Sequence, residues 1–429
     1  MVSDAMEHFV KSCRFGKYLA LNAVQQIVRR FGMSISSPVV VVGGGIVGAS
    51  IAHYLASMGQ DGVVLLEKDS IGSGATGSSG ALIRMHYTNP YDAALALKSL
   101  HIFENWKDTI GGDSGFRKTG FLAVADKPNA VRLQNNVEML KDVGVNTTAL
   151  SPGDIEDLQP FCNIDDLGAA AYEPDSGYAD GYSTVTAMAR RARDLGVSVR
   201  QGVSVFEILC ENDKVIGVRT SDGDIFTPTV VLAAGAWSHH LGKTAGIQLP
   251  VGPQRLTAGL VERPEELKDP HMIFIDHAVG QYFRPDSNNL TLLGIRPGPS
   301  VDLQVDPNDY DASVAMEWQV RSLGQLAHRI PAMVDAGWRR SWAHVDGYPP
   351  DGHMVLGKEP DIEGMYVAAG MSGSGFKTGP AVGIGMAELI LEGESRTVNI
   401  DPFRINRFQE NEPIISENEY QISEFKFPG

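Results

Sequence analysis

The stretch Val39-Val40-Val41-Val42-Gly43-Gly44-Gly45-Ile46-Val47-Gly48-Ala49, followed by a second apolar run over residues 62–66 and Glu67, decides the fold. Four consecutive valines suit a strand buried on both faces, because β-branched side chains pack well on a pleated surface. Residues 49–58 carry a helical pattern, and residues 62–66 read as a second strand. Strand, glycine turn, helix and strand make a βαβ unit with a parallel pair. Its glycines fall as Gly-x-Gly-x-x-Gly at Gly43, Gly45 and Gly48, and Glu67 follows Gly48 by 19 residues. The first glycine permits the tight turn, the second lets a pyrophosphate approach the backbone, and the third lets helix and strand pack closely. Phosphates then sit at the positive end of the helix, beside Ile46 and Val47. Glu67, with Lys68 next to it, stands where an acid accepts hydrogen bonds from a ribose diol and repels a 2′-phosphate. A glycine-rich turn without a ligand leaves Glu67 unexplained, so the unit is read as a dinucleotide site.

The chain around this unit has 429 residues, room for two domains. With 43% hydrophobic and 21% charged residues it is an ordinary globular composition. A net charge of −16 repels phosphate backbones, and no local basic patch relieves it, so nucleic acid is excluded as a partner. Cys13, Cys162 and Cys210 form no CxxC spacing, so no metal site is expected and a reducing, cytoplasmic compartment is. No apolar run reaches the roughly 18 residues a transmembrane helix requires. Residues 1–37 form a separate N-terminal extension with basic excess (Lys11, Arg14, Lys17, Arg29, Arg30) and an amphipathic stretch. It reads as an appended, helical segment; a targeting peptide competes but is ill served by Asp4 and Glu7.

Farther on, residues 224–233 run into Val230-Val231-Leu232 and break at Ala233-Ala234-Gly235-Ala236-Trp237. A buried strand ending in small residues brings backbone close to a ligand. Polar alternating stretches at 121–125, 257–261, 272–275, 281–284 and 289–295 read as an antiparallel sheet, and 312–329 as a helix. A strand at 365–369 leads into Gly370-Met371-Ser372-Gly373-Ser374-Gly375-Phe376-Lys377 and a helix over 380–391. Between the second strand and these elements lies Gly72-Ser73-Gly74-Ala75-Thr76-Gly77-Ser78-Ser79-Gly80-Ala81-Leu82-Ile83-Arg84. Such a small, hydroxyl-rich loop can pack on a flat ring system and bond phosphate or ribityl groups, which a nicotinamide enzyme does not need.

On these four motifs the chain resembles the D-amino-acid oxidase superfamily of flavoproteins, nearest the sarcosine oxidases (β-subunit type), glycine oxidases and dimethylglycine or proline dehydrogenases. The resemblance covers about residues 38–395. It implies an α/β fold in which a Rossmann-like FAD-binding domain is interleaved with an antiparallel β-sheet substrate domain. The expected division is 38–120, 172–250 and 344–400 for the first, 121–171 and 251–343 for the second, and a tail at 401–429. Noncovalent FAD would be held by Gly43, Gly45, Ile46, Val47, Gly48, Glu67, Lys68, Gly74, Ala75, Thr76, Ser79, Gly80, Leu82, Val205, Ala234, Gly235, Trp237, Gly373, Gly375, Phe376 and Lys377. The amides after Gly375, ahead of the last helix, would face the flavin edge that becomes anionic on reduction, where a helix dipole favours charge.

The same resemblance places Arg84 and Lys377 against a substrate carboxylate, with Tyr282 lining the cavity. An arginine fork binds both carboxylate oxygens in fixed geometry. His344 falls where monomeric sarcosine oxidases carry a flavin-linked cysteine, so a cysteinyl link is excluded and a histidyl one is the alternative to noncovalent binding. His86 and His353, near the motifs, read as structural. Leu292 occupies the position of an oxygen-activating lysine and Arg296 that of a catalytic histidine. A missing cation beside the flavin leaves the acceptor open between O2 and another carrier. The implied activity is hydride removal from the C–N bond of a small anionic amine or amino acid, giving an imine that hydrolyses. Alternatives are a 2-hydroxy-acid dehydrogenase, or a flavin-bound subunit or assembly factor acting within a homo- or hetero-oligomer. In that last case Phe403, Phe408 and Phe425 of the tail, or residues 1–32, would dock on the partner.

Overall fold

In the computed structural model, which describes residues 35–267, 269–295 and 304–421, the valine run becomes the strand Val40–Val42 in the centre of a six-stranded sheet. The order is Ser198–Gln201, Val64–Glu67, Val40–Val42, Val230–Leu232, Met365–Ala369 and Val355–Lys358. All neighbours are parallel except the final pair. Val40, Val41 and Val42 are buried because the helices Ile46–Ser57, Gly181–Asp194 and Gly375–Glu392 cover one face and a small four-stranded sheet covers the other. Continuous apolar strands rather than alternating ones are what burial on both faces requires.

The alternating stretches form an eight-stranded sheet, in order Gly337–Tyr348, Gly252–Glu262, Leu290–Ile295, Gln281–Asp286, Ile273–Asp276, Phe121–Asp126, Leu167–Glu173 and Thr148–Leu150. It is antiparallel except for one parallel pair, Ile273–Asp276 on Phe121–Asp126, which the alternation alone did not reveal. Its outer face packs Phe274, Phe283 and Leu293 under the helix Met316–Arg329. Arg329 on that helix is fully buried and anchored to Asp276 at 2.6 Å and Asp166 at 2.9 Å. Its inner face turns toward the six-stranded layer. Strands Leu167–Glu173 and Gly337–Tyr348 run unbroken past residues 171 and 343 and belong along their whole length to the eight-stranded sheet.

Two helices depart from expectation. The last long helix starts at Gly375, not at residue 380, and contains Pro380. A proline there removes one ladder bond, and the next amide, Ala381 N–H, donates to Ser99 Oγ at 3.1 Å. The helix read over 312–329 starts at Met316, because Asp311 turns the chain by accepting from Ser313 N at 2.8 Å. The tail is also corrected. Residues 401–421 pack on the chain's own body, with Phe403 fully buried and Arg407 held bidentately by Asp351 at 2.9 Å for both bonds. Residues 1–34, Arg296 and Phe425 lie outside the described residues.

Candidate active site

A single cavity of about 850 Å³ runs between the two large sheets, and the glycine turn forms one end of it. The turn is built by backbone contact. A Cβ on Gly43 would lie 2.3 Å from Ala233 O, and one on Gly48 would lie 2.0 Å from Gly43 O. Gly43 also holds φ at +113°, which an L side chain disfavours. The helix that follows starts at Gly45 with no side-chain cap and no acidic residue in its first turn. Ile46 N–H donates to Thr76 Oγ1 at 3.0 Å, leaving neighbouring first-turn amides for an anion. Glu67 is locked by Gly44 N–H at 2.7 Å and Asp69 N–H at 2.9 Å, with its side chain on the cavity.

A second helix start opens on the same cavity. Gly375–Glu392 likewise has no side-chain cap and no first-turn acid, and Gly375, Phe376 and Lys377 line the space. Two buried, uncapped N-termini of neighbouring helices, with Gly379 packed against Ile46, suit a ligand with one anionic group at each, as FAD has in its pyrophosphate and its pyrimidine edge. Asp346 fixes the approach to the second one, accepting from Gly373 N–H and Gly347 N–H at 2.8 Å each. Burial raises its carboxyl above the ordinary aspartate value, and those two bonds and Lys377 oppose the rise.

The loop over residues 74–84 is gripped from the eight-stranded sheet. Arg284 Nε donates to Gly80 O at 2.5 Å and Trp342 Nε1 to Ser78 O at 3.2 Å. Tyr282 leans into the cavity because its partner in register is Gly294, where a Cβ would fall within 2.5 Å of the ring oxygen. Burial pushes the Tyr282 phenol up to about 12, so it stays protonated. Leu292 shares that face and lies 3.5 Å from where a Cβ on Gly80 would be, but it is buried against the loop and does not itself line the cavity. His344 lines the cavity with its Nδ1 buried and unpaired, and burial lowers its imidazole to about 4. At the far end Trp237 stacks under Lys68 Nζ at 4.1 Å and donates to Asn308 Oδ1 at 2.8 Å.

Arg84 and Lys377 come together on one side. Arg84 lies over the Tyr87 ring at 4.6 Å and Lys377 Nζ sits 5.8 Å from the same ring. Arg84 Nη1 donates to His86 O, while Nε is buried without an acceptor and Nη2 makes no bond among the described residues. Among the described residues Lys377 Nζ donates only to Gly373 O, at 3.2 Å. Burial and the nearby guanidinium push its ammonium well below the usual lysine value, opposed by Asp92 and Asp346. Behind the pair, Glu173 accepts from Met85 N–H at 3.0 Å and Ser176 Oγ at 2.6 Å, and its other oxygen is unpaired. Burial lifts its carboxyl to about 7.

Of the residues read from sequence, Arg84, Tyr282, His344, Lys377 and every FAD-contact candidate except Gly48 line this cavity. Gly48 faces Gly43 and acts by packing. His86 and His353 lie off it, bonded to Tyr420 and Asp92 at 2.6 and 2.8 Å. Sequence reading missed Asp346, Arg284 and His277. The first two stand two residues beyond His344 and Tyr282 on strands, hence on the same face, a signal that was available. His277 sits on a hairpin turn and carried none.

Similar proteins agree with this architecture. A 4-methylaminobutanoate oxidase of Paenarthrobacter nicotinovorans is 28% identical over 389 residues, covering 85% of this chain and 45% of its own length. A mitochondrial sarcosine dehydrogenase of Homo sapiens is 27% identical, covering 86% and 41%. The chain thus spans less than half of either relative. A crystal structure of L-proline dehydrogenase from P. horikoshii superposes with a TM-score of 0.82 at 28% identity, covering 89% of this chain and all of that one. With residues 38–389 matching throughout the cavity just described, the chain belongs to the FAD dependent oxidoreductase family.

Proposed function

We propose that this chain oxidises the C–N bond of a small amino acid or N-methylated amino acid, with FAD as hydride acceptor. The carrying observation is the unpaired Nε–Nη2 edge of Arg84 beside Lys377, two cations with no carboxylate in ion-pair reach among the described residues. Buried cations are costly without a counter-ion, so a carboxylate ligand would complete them. The relatives named for 4-methylaminobutanoate and sarcosine are named for molecules with both an N-methyl amine and a carboxylate.

FAD, when bound, supplies the redox chemistry. Gly43, Gly45, Val47 and Glu67 would hold its adenosine half, and the Gly373–Lys377 turn its flavin edge. The chain's own residues then supply orientation. Arg84 takes the carboxylate bidentately, and the same anion favours the ammonium form of Lys377. Tyr282 keeps its proton as a hydrogen-bond donor, and His344 is a neutral imidazole. Ile275, Leu256 and Tyr282 line the space and limit water. The oxidised product, an imine, hydrolyses after release.

The test is anaerobic addition of sarcosine, proline, glycine, dimethylglycine and 2-hydroxyglutarate to the FAD-loaded protein while flavin absorbance is followed. Bleaching by one of the amines supports the reading. Bleaching by the hydroxy acid alone, or by none, rejects it.

A further inference from the structure

The family match ends at residue 389, yet the described chain continues to 421 and returns to the active site. Its ion pair between Arg407 and Asp351 fixes the return path, and residues 416–421 then run beside the start of the helix Pro90–Glu104. Thr88 Oγ1 meets Ser416 Oγ and Glu419 Oε2, each at 2.8 Å. Asn136 Nδ2 donates to Asn418 O at 3.0 Å, and Asn129 makes two bonds to the Gln421 backbone at 2.9 Å. These contacts deliver Tyr420, 5% exposed, to a point between His86 and the cavity-lining His277.

On one side the Tyr420 hydroxyl bonds His86 Nε2 at 2.6 Å. His86 lies two residues beyond Arg84, and its carbonyl accepts from Arg84 Nη1, so it fixes the direction in which the free Nε–Nη2 edge points. On the other side the Tyr420 ring stacks on His277 at 3.8 Å between centroids and 22° between planes. His277 lines the cavity from the hairpin between Ile273–Asp276 and Gln281–Asp286. Tyr420 therefore joins the arginine loop to the opposite wall, at the place where the ligand carboxylate is read.

We propose that Tyr420 is a positioning residue, and that the C-terminal segment forms part of the substrate site by tying the Arg84–His86 loop to the His277 hairpin. This rests on the carboxylate reading above. Stacking and hydroxyl act separately: the ring sets the distance between the walls, and the hydroxyl orients His86 and through it the guanidinium.

Full-length, FAD-loaded wild type, Tyr420→Phe and Tyr420→Ala are compared for binding of acetate by flavin difference absorbance, and for KM and kcat with sarcosine if it is turned over. Hydrogen exchange over residues 84–88 and 277–280 is measured on the same samples. Tyr420→Phe, which keeps the stack and loses one hydrogen bond, is expected to weaken acetate about threefold. Tyr420→Ala is expected to weaken it about twentyfold, with faster exchange in both segments and flavin content and kcat within twofold. A side chain that only packs would lower thermal stability and leave acetate affinity unchanged; that outcome overturns the proposal. Should wild type itself fail to bind acetate or any other small carboxylate, the carboxylate reading falls and the proposal with it. That failure is distinct from the case in which wild type binds and the variants match it.

Discussion

Replacing Arg84 by alanine tests the site at its most exposed point. The guanidinium already spends Nη1 on His86 O, so a ligand carboxylate has Nε and Nη2 to itself. Two charge-assisted bonds of about 1.5–3 kcal/mol each would be lost. Lys377 remains as a second cation and the freed carboxylate regains water, so the lower end of that range applies, about 3–4 kcal/mol in total. At about 1.4 kcal/mol per decade this is a hundred- to a thousandfold rise in Kd for acetate or in KM for the amine substrate. Arg84→Lys keeps a charge but not the fork, and should fall about tenfold short of wild type. The assay is flavin difference absorbance with acetate on anaerobic protein, with flavin content and melting temperature as controls, since the bond to His86 O is also removed. An acetate Kd within threefold of wild type, at unchanged flavin content, would show that the carboxylate binds elsewhere and would refute the reasoning.

Three further predictions follow from the same contacts. Gly48→Ala places a methyl 2.0 Å from Gly43 O, backbone against backbone, so the turn must shift; the variant should purify with little flavin and unfold earlier by about 1–3 kcal/mol, and full flavin retention would contradict the packing role. Glu173 holds its proton in the folded state up to about 7 but in the unfolded chain only to about 4.5, so the folded state binds the extra proton between those values and stability falls as pH rises through that window. The loss is on the order of 3 kcal/mol; subtracting urea-unfolding free energies of Glu173→Gln from wild type between pH 5 and 8 should show that slope, and parallel curves would rule it out. The apolar Leu292 side chain predicts slow reoxidation of the reduced protein in air, and Leu292→Lys, by adding a cation on that face, should raise the rate at least tenfold in stopped flow; equal rates would remove charge at this position as the control on oxygen reactivity.

The sequence by itself determined the βαβ unit and its ligand class, because that information is local. Gly48 is needed for a backbone contact with Gly43 five residues away, Gly43 for its positive φ, and Glu67 stands at the end of the next strand. The hydroxyl-rich loop and the Gly373–Lys377 turn were legible for the same reason: small residues in order mark close backbone approach wherever they occur. Element edges were less so. Pro380 argued for a helix start, yet it lies inside a helix that begins at Gly375, where the next amide reaches the Ser99 hydroxyl, 282 residues away in sequence. The parallel pairing of Ile273–Asp276 with Phe121–Asp126 likewise leaves no trace in either strand's alternation. Only tertiary structure showed which hydrogen-bonding edge of Arg84 is free, that Asp346 braces the second helix start, and that the tail, for which docking on a partner was one alternative, packs on its own chain and brings Tyr420 to His86 and His277. Each of these depends on which distant groups share a small volume, and chain spacing carries no record of that.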